Sequence, residues 1–133
     1  MLYQRKLVPS MVDIGEAAEL PADLQGLDDT TLADLSRGLG QAAIELGYTG
    51  HGFFPASDAD RWIHVGVYVQ RFTTPERLAI KTARASNPIV DDMMYVLERC
   101  ELIYLDHADI IGGLTYLVSQ GLIEPDRPAQ LRA

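Results

Sequence analysis

Cysteine is nearly absent from this chain. Cys100 stands alone, which excludes an intrachain disulfide and gives no redox address. No run of 18 apolar residues exists, so no segment reads as a membrane-spanning helix. Met1 to Pro9 lacks the long apolar stretch of a signal peptide, and the expectation is residence in the cytoplasm or in a particle built there. Bases are scarce too: 11 Lys and Arg stand against 19 Asp and Glu, for a formal charge of −8. Residues 1–72 hold ten acids and five bases, and residues 73–133 hold nine and six. Only Arg5 and Lys6 are adjacent bases, so neither part offers a face able to neutralise a row of phosphates. Nucleic-acid binding is disfavoured on that ground.

What is present is ordinary globular material. The 133 residues, 47% apolar and 23% charged, suit one domain or two small modules sharing a boundary. Leu2 to Val12 reads as a short strand or two, or an extended arm, interrupted near Pro9. Residues 13–27 read as loop, with Leu20-Pro21 extended. Asp28 or Asp29 caps a short helix that Gly38 and Gly40 end, and Gln41 to Leu46 adds a turn or two stopped at Gly47. Tyr48 to Pro55 is a glycine- and aromatic-rich turn. Trp62 to Phe72 alternates, with Ile63, Val65, Val67 and Val69 on one face, and predicts a half-buried strand.

From Thr73 the period changes to that of a helix. Either Thr74 caps with Pro75 at the first helical position, or Thr73 and Glu76 form a capping box. That helix should reach Ala85 or Ser86, and Asn87-Pro88 starts another by the same device. On the second helix Ile89, Met93, Val96, Leu97 and Cys100 form an apolar stripe. Leu102 to Leu105 is a brief extended link. Asp106 or Asp109 opens the last long helix, which Gly121 and Leu122 close, and one more helical turn begins near Pro128. The fold class is α+β: short strands and loops over residues 1–72, packed on a three-helix unit over 73–133 in one compact domain.

Candidate chemistry is sparse. His51, His64 and His107 come with no Cys pair and no His-x₃-His spacing for zinc. In Asp106-His107-Ala108-Asp109 the carboxylates would join an imidazole around a metal, but acids at a helix start are the favoured reading. Asp91 and Asp92 point about 100° apart on a helix and do not converge. Cys100 lies on an apolar stripe, where cysteine serves as a small core residue. Ser10, Ser36, Ser57, Ser86 and Ser119 sit in no nucleophile elbow. The Gly-x-Gly steps Gly38-Leu39-Gly40 and Gly50-His51-Gly52 lack the strand-loop-helix setting of a phosphate loop. Gly112-Gly113 favours close helix packing over a hinge. Phe53, Phe54, Trp62 and Tyr68 form either a contact surface or the core of the small β portion; both readings stand. No catalytic residue, cofactor or metal is expected.

The run Arg71-Phe72-Thr73-Thr74-Pro75-Glu76-Arg77-Leu78-Ala79-Ile80, continued by Asn87-Pro88-Ile89-Val90-Asp91-Asp92, resembles small proteins of the tail modules of tailed bacteriophages. So does the last long helix, Ile110 to Ile123, with its Tyr-Leu-Val-x-x-Gly-Leu-Ile ending. Upstream, Leu20-Pro21-Ala22-Asp23-Leu24-Gln25-Gly26-Leu27 and Gly50-His51-Gly52-Phe53-Phe54-Pro55 look like the same group's segments, with Phe54 where tryptophan is more usual. The resemblance implies a virion or assembly component of the tail: tail tip, baseplate, or a helper for fibre attachment. The expected partners are then other tail proteins, in several symmetric copies; the charge balance and the lack of a long apolar run leave out nucleic acid and membrane. An alternative is a winged-helix-like module, since Leu117-Val118-Ser119-Gln120-Gly121-Leu122-Ile123-Glu124 resembles a helix-to-wing step. Against it, Ile110 to Leu122 contains no base.

Overall fold

A computed structural model describes residues 1–38 and 40–133. The fold is α+β, as expected, with two small antiparallel sheets and its helices concentrated in the C-terminal half. The chain divides into two compact units, Met1–Trp62 and Ile63–Ala133.

In the N-terminal unit, β1 (Tyr3–Leu7) pairs antiparallel with β2 (His51–Pro55), with Tyr3 opposite Pro55 and Leu7 opposite His51. Residues 8–18 fold back along the outer edge of β1 and bridge it at Tyr3–Ala18 and Lys6–Asp13. Lys6 is buried there, with its Nζ 2.8 Å from an Asp13 carboxylate oxygen. That pairing answers the charge, which burial alone would penalise. Between the strands lie α1 (Asp29–Ser36) and α2 (Gly40–Leu46). Of the two candidate caps, Asp28 is the one used: its carboxylate accepts from Thr31 N at 2.7 Å, which holds its pKa below the usual range. Gly47 ends α2 with φ +80°, and Tyr48 N donates to Ala43 O at 2.7 Å. Leu24, Leu35, Ala43 and Phe53 form the core.

Gly38 is needed where it stands. Its φ is +63°, and a Cβ would meet His51 N at 3.0 Å and Gly50 C at 3.1 Å. Gly50 N donates to Gly38 O at 3.1 Å, so backbone lies against backbone with no room for a side chain. The Gly38-Leu39-Gly40 step lies partly outside the described residues.

The C-terminal unit begins inside β3 (Trp62–His64), which pairs with β4 (Leu102–Tyr104). The expected strand Trp62–Phe72 is corrected here. It ends at His64, and Val65–Gln70 is the helix α3. Val65, Val67 and Val69 favour a strand, yet the same residues also satisfy a helical period. Val65, Tyr68, Val69 and Phe72 fall at i, i+3, i+4 and i+7, with Tyr68 and Phe72 buried, while Val67 faces solvent. His64 Nδ1 accepts from Gly66 N at 3.0 Å and starts the turn. Core packing overrides strand propensity in this segment. The unit boundary accordingly falls ahead of α3, ten residues before the change of period at Thr73.

Three longer helices follow: α4 (Thr74–Arg84), α5 (Pro88–Glu98) and α6 (Ala108–Ser119), then the short α7 (Arg127–Leu131). The capping box is the alternative realised at α4: Glu76 N donates to Thr73 Oγ1 at 3.3 Å, and Thr73 N donates to Glu76 Oε1 at 2.8 Å. Asn87 Oδ1 accepts from Ile89 N and Val90 N and opens α5. At the end of α6, Gly121 N donates to Val118 O and Leu122 N to Leu117 O, each at 3.0 Å, closing the helix as expected. Tyr68, Phe72, Ile80, Val90, Ile103, Leu105, Leu114, Leu117, Ile123 and Leu131 share one core.

Candidate functional site

The aromatic surface suggested by the sequence is not presented to solvent. Phe53 is buried in the N-terminal core, edge-on to Tyr48 with ring centres 5.3 Å apart. Phe54, on the opposite face of β2, is 1% exposed and lies 5.7 Å from the Trp62 ring. Tyr68 is buried against Phe72 in the C-terminal core, 5.5 Å away and nearly perpendicular, and burial pushes its phenol up to about 12. Only Trp62 is part-exposed. Because β2 is covered on both faces, consecutive aromatics find shelter, and core is the reading that holds for Phe53, Phe54 and Tyr68. They are corrected as contact residues.

The histidines do separate work. His107 caps α6, accepting from Asp109 N at 3.0 Å, where either neighbouring aspartate was expected. Asp106 is turned away, 2.9 Å from Arg132. His51 Nδ1 accepts from Arg5 Nε at 3.0 Å, and the Arg5 guanidinium lies over the Tyr48 and Phe53 rings at 5.3 and 5.6 Å. Beside it is an open recess of about 220 Å³, lined in part by Tyr3, Arg5, Glu16, Glu19 and Phe53. Glu16 and Glu19 are exposed there, and Arg5 is committed to His51. Among the described residues no three His, Cys, Asp or Glu side chains converge as metal ligands would. Cys100 is half-buried against the core, its thiol donating to Val96 O at 3.4 Å.

Arginines tie the end of the C-terminal unit to its start, a set that sequence reasoning missed. Arg127 meets both oxygens of Glu76 at 2.8 and 2.9 Å and donates to Arg71 O at 2.9 Å. Arg71 in turn donates to Leu131 O and Ala133 O at 2.9 and 2.8 Å. Arg132 donates to Leu105 O at 2.9 Å. The Arg127 hydrogen bond first, and the capping bond from Thr73 N after it, hold the Glu76 carboxyl below the usual glutamate range. The partners of Arg127 and Arg71 lie more than 50 residues apart, beyond any local pattern. After α6 the chain turns into α7, where a winged helix would place a strand.

The expected α5 stripe is also corrected, by a rotation. Val90, Met93, Met94 and Leu97 turn toward the core, whereas Ile89 and Val96 are each 55% exposed and Tyr95 is 50% exposed. Met93 takes its place because Gly113 of α6 leaves room: a Cβ there would meet Met93 Cε at 3.1 Å. Gly113 thus fulfils the close-packing expectation, while a Cβ on Gly112 would meet nothing within 4 Å. Asp91 is held by Arg84 at 2.9 Å, and Arg84 also holds Glu98. Asp92 faces outward with no hydrogen bond or ion pair among the described residues. Arg99 lies 3.2 Å over the Tyr95 ring and donates to Tyr95 O at 2.9 Å. Ile89, Asp92, Tyr95, Val96 and Arg99 therefore make one exposed, mixed apolar and charged face. Among the described residues no helix is long and apolar enough to cross a membrane. No family model, curated protein or solved structure matches the chain.

Proposed function

We propose that the chain is a non-catalytic component of the tail of a tailed bacteriophage, at the tip, baseplate or fibre attachment. It acts through protein–protein contacts in several symmetric copies, and is made in the host cytoplasm for incorporation into the virion. The observation that carries this reading is the outer face of α5, where Ile89, Tyr95 and Val96 keep about half their surface in solvent. Apolar groups grouped on one helix face and rimmed by charge are the ordinary makings of a contact surface. The resemblance supplies the tail assignment. Among the residues that carry it, Thr73, Glu76, Asn87, Gly121 and Leu122 cap or close helices here.

Mass spectrometry of purified virions tests the assignment. The expected result is this polypeptide in the particle, or its copurification with tail proteins from infected cells. Absence from both would overturn it.

A further inference from the structure

The outer face of α5 is charged in a pattern that matches itself. Asp92 and Arg99 are seven residues apart, which on a helix places them about 10 Å apart along nearly the same line. Tyr95 and Val96 lie midway between them. When two such helices meet antiparallel about a two-fold axis, Asp92 of one copy stands opposite Arg99 of the other, twice. Tyr95 and Val96 then meet their own counterparts near the axis, and a two-fold contact of this kind requires just such self-complementarity. A parallel pairing would set Asp92 against Asp92.

We infer that α5 docks a second copy of this chain, antiparallel, with Asp92–Arg99 ion pairs flanking a Tyr95–Val96 apolar centre. The inference names the partner for the contact face proposed above and rests on that reading only in treating α5 as a contact. Both charged groups are free to serve. Asp92 has no partner among the described residues, and Arg99 engages its own turn, stacking on Tyr95, donating to Tyr95 O and lying close enough to Glu98 to favour its charge. A guanidinium stacked on a ring keeps in-plane N–H donors for a carboxylate. On the flank toward α4, Arg84 holds both Asp91 and Glu98, which limits repulsion between two acidic copies. The face is short, about 16 Å for an 11-residue helix. A standard stable interface buries about 800 Å² per partner, so the pair is weak alone and gains where a particle holds copies close.

Sedimentation equilibrium of the full chain, up to a few hundred micromolar, reads this directly. The wild-type chain is expected to show a concentration-dependent dimer. Asp92→Arg alone and Arg99→Asp alone each place like charges opposite one another and should weaken the dimer at least tenfold. The double variant Asp92→Arg/Arg99→Asp restores opposite charges within one chain and should recover it. Only self-pairing predicts that recovery. Val96→Asp should abolish the dimer, with circular dichroism confirming that these solvent-facing changes leave the helices intact. A strictly monomeric wild type, single variants that dimerise normally, or a double variant that stays monomeric would each overturn the inference. If the wild type is monomeric but Val96→Asp is lost from virions, α5 serves a different tail protein: the self-pairing fails while the tail assignment stands.

Discussion

In the N-terminal unit the strand at Tyr3–Leu7 waits for its partner at His51–Pro55, and much of what lies between is loop braced by main-chain hydrogen bonds. In the C-terminal unit each of α4, α5 and α6 carries its own start signal, and a ten-residue core joins them. The first unit adds close main-chain contact, as at Gly38, to its Asp28 cap, its Lys6–Asp13 pair and a small core, whereas the second rests on side chains that cap, pair and pack. The first should therefore be most sensitive to added backbone bulk, and the second to lost side-chain volume or a lost cap.

Core truncation should expose that contrast most strongly. Leu114→Ala empties a fully buried site and should destabilise the C-terminal unit by about 3 kcal/mol, read by urea denaturation followed by helical circular dichroism. Alkali comes next. Burial raises Tyr68 to about 12, so the folded unit keeps a proton that the unfolded chain loses near pH 10. The Tyr68 contribution is whole below about pH 10 and fades as pH climbs through 12, a loss on the order of 2 kcal/mol. Titration of phenolate absorbance should show Tyr68 ionising near 12, while burial and the Asp23 hydrogen bond also raise Tyr48, and Tyr68→Phe should remove the step near 12. Gly38→Ala should cost the N-terminal unit about 2 kcal/mol, because φ +63° and the backbone of Gly50 and His51 both oppose a methyl group. Equal loss in the C-terminal unit would erase the distinction. Thr73→Ala is the smallest, about 1 kcal/mol for one cap, seen as a lower melting temperature.

Legibility in the sequence followed the same divide. Thr73-Thr74-Pro75-Glu76, Asn87-Pro88 and Gly121-Leu122 announced helix ends because capping is local chemistry, complete within a turn or two of chain. Val65 to Val69 misled because β-branched spacing of two and a buried face of period 3.6 coexist in one short segment. The choice was made by Tyr68 and Phe72 finding the C-terminal core. Phe53 and Phe54 were indistinguishable from surface anchors until the covering of both β2 faces was known. On α5 the sequence marked an apolar helix correctly, but its broad apolar arc hid which edge turned outward. Val90 and Leu97 took the core, leaving Ile89 and Val96 as the candidate surface. No local signal pointed to Arg127, whose partners are set by the return of the chain.

The chain's lysines are Lys6 and Lys81. Lys81 is exposed on α4, whereas Lys6 is buried with its amine held by Asp13 of the segment that folds back along β1. A limiting dose of an acylating reagent should accordingly mark Lys81 and spare Lys6. Each unit then has a chemical reporter of its own, and uptake of label at Lys6 becomes a clock for opening of the fold-back of residues 8–18 along β1.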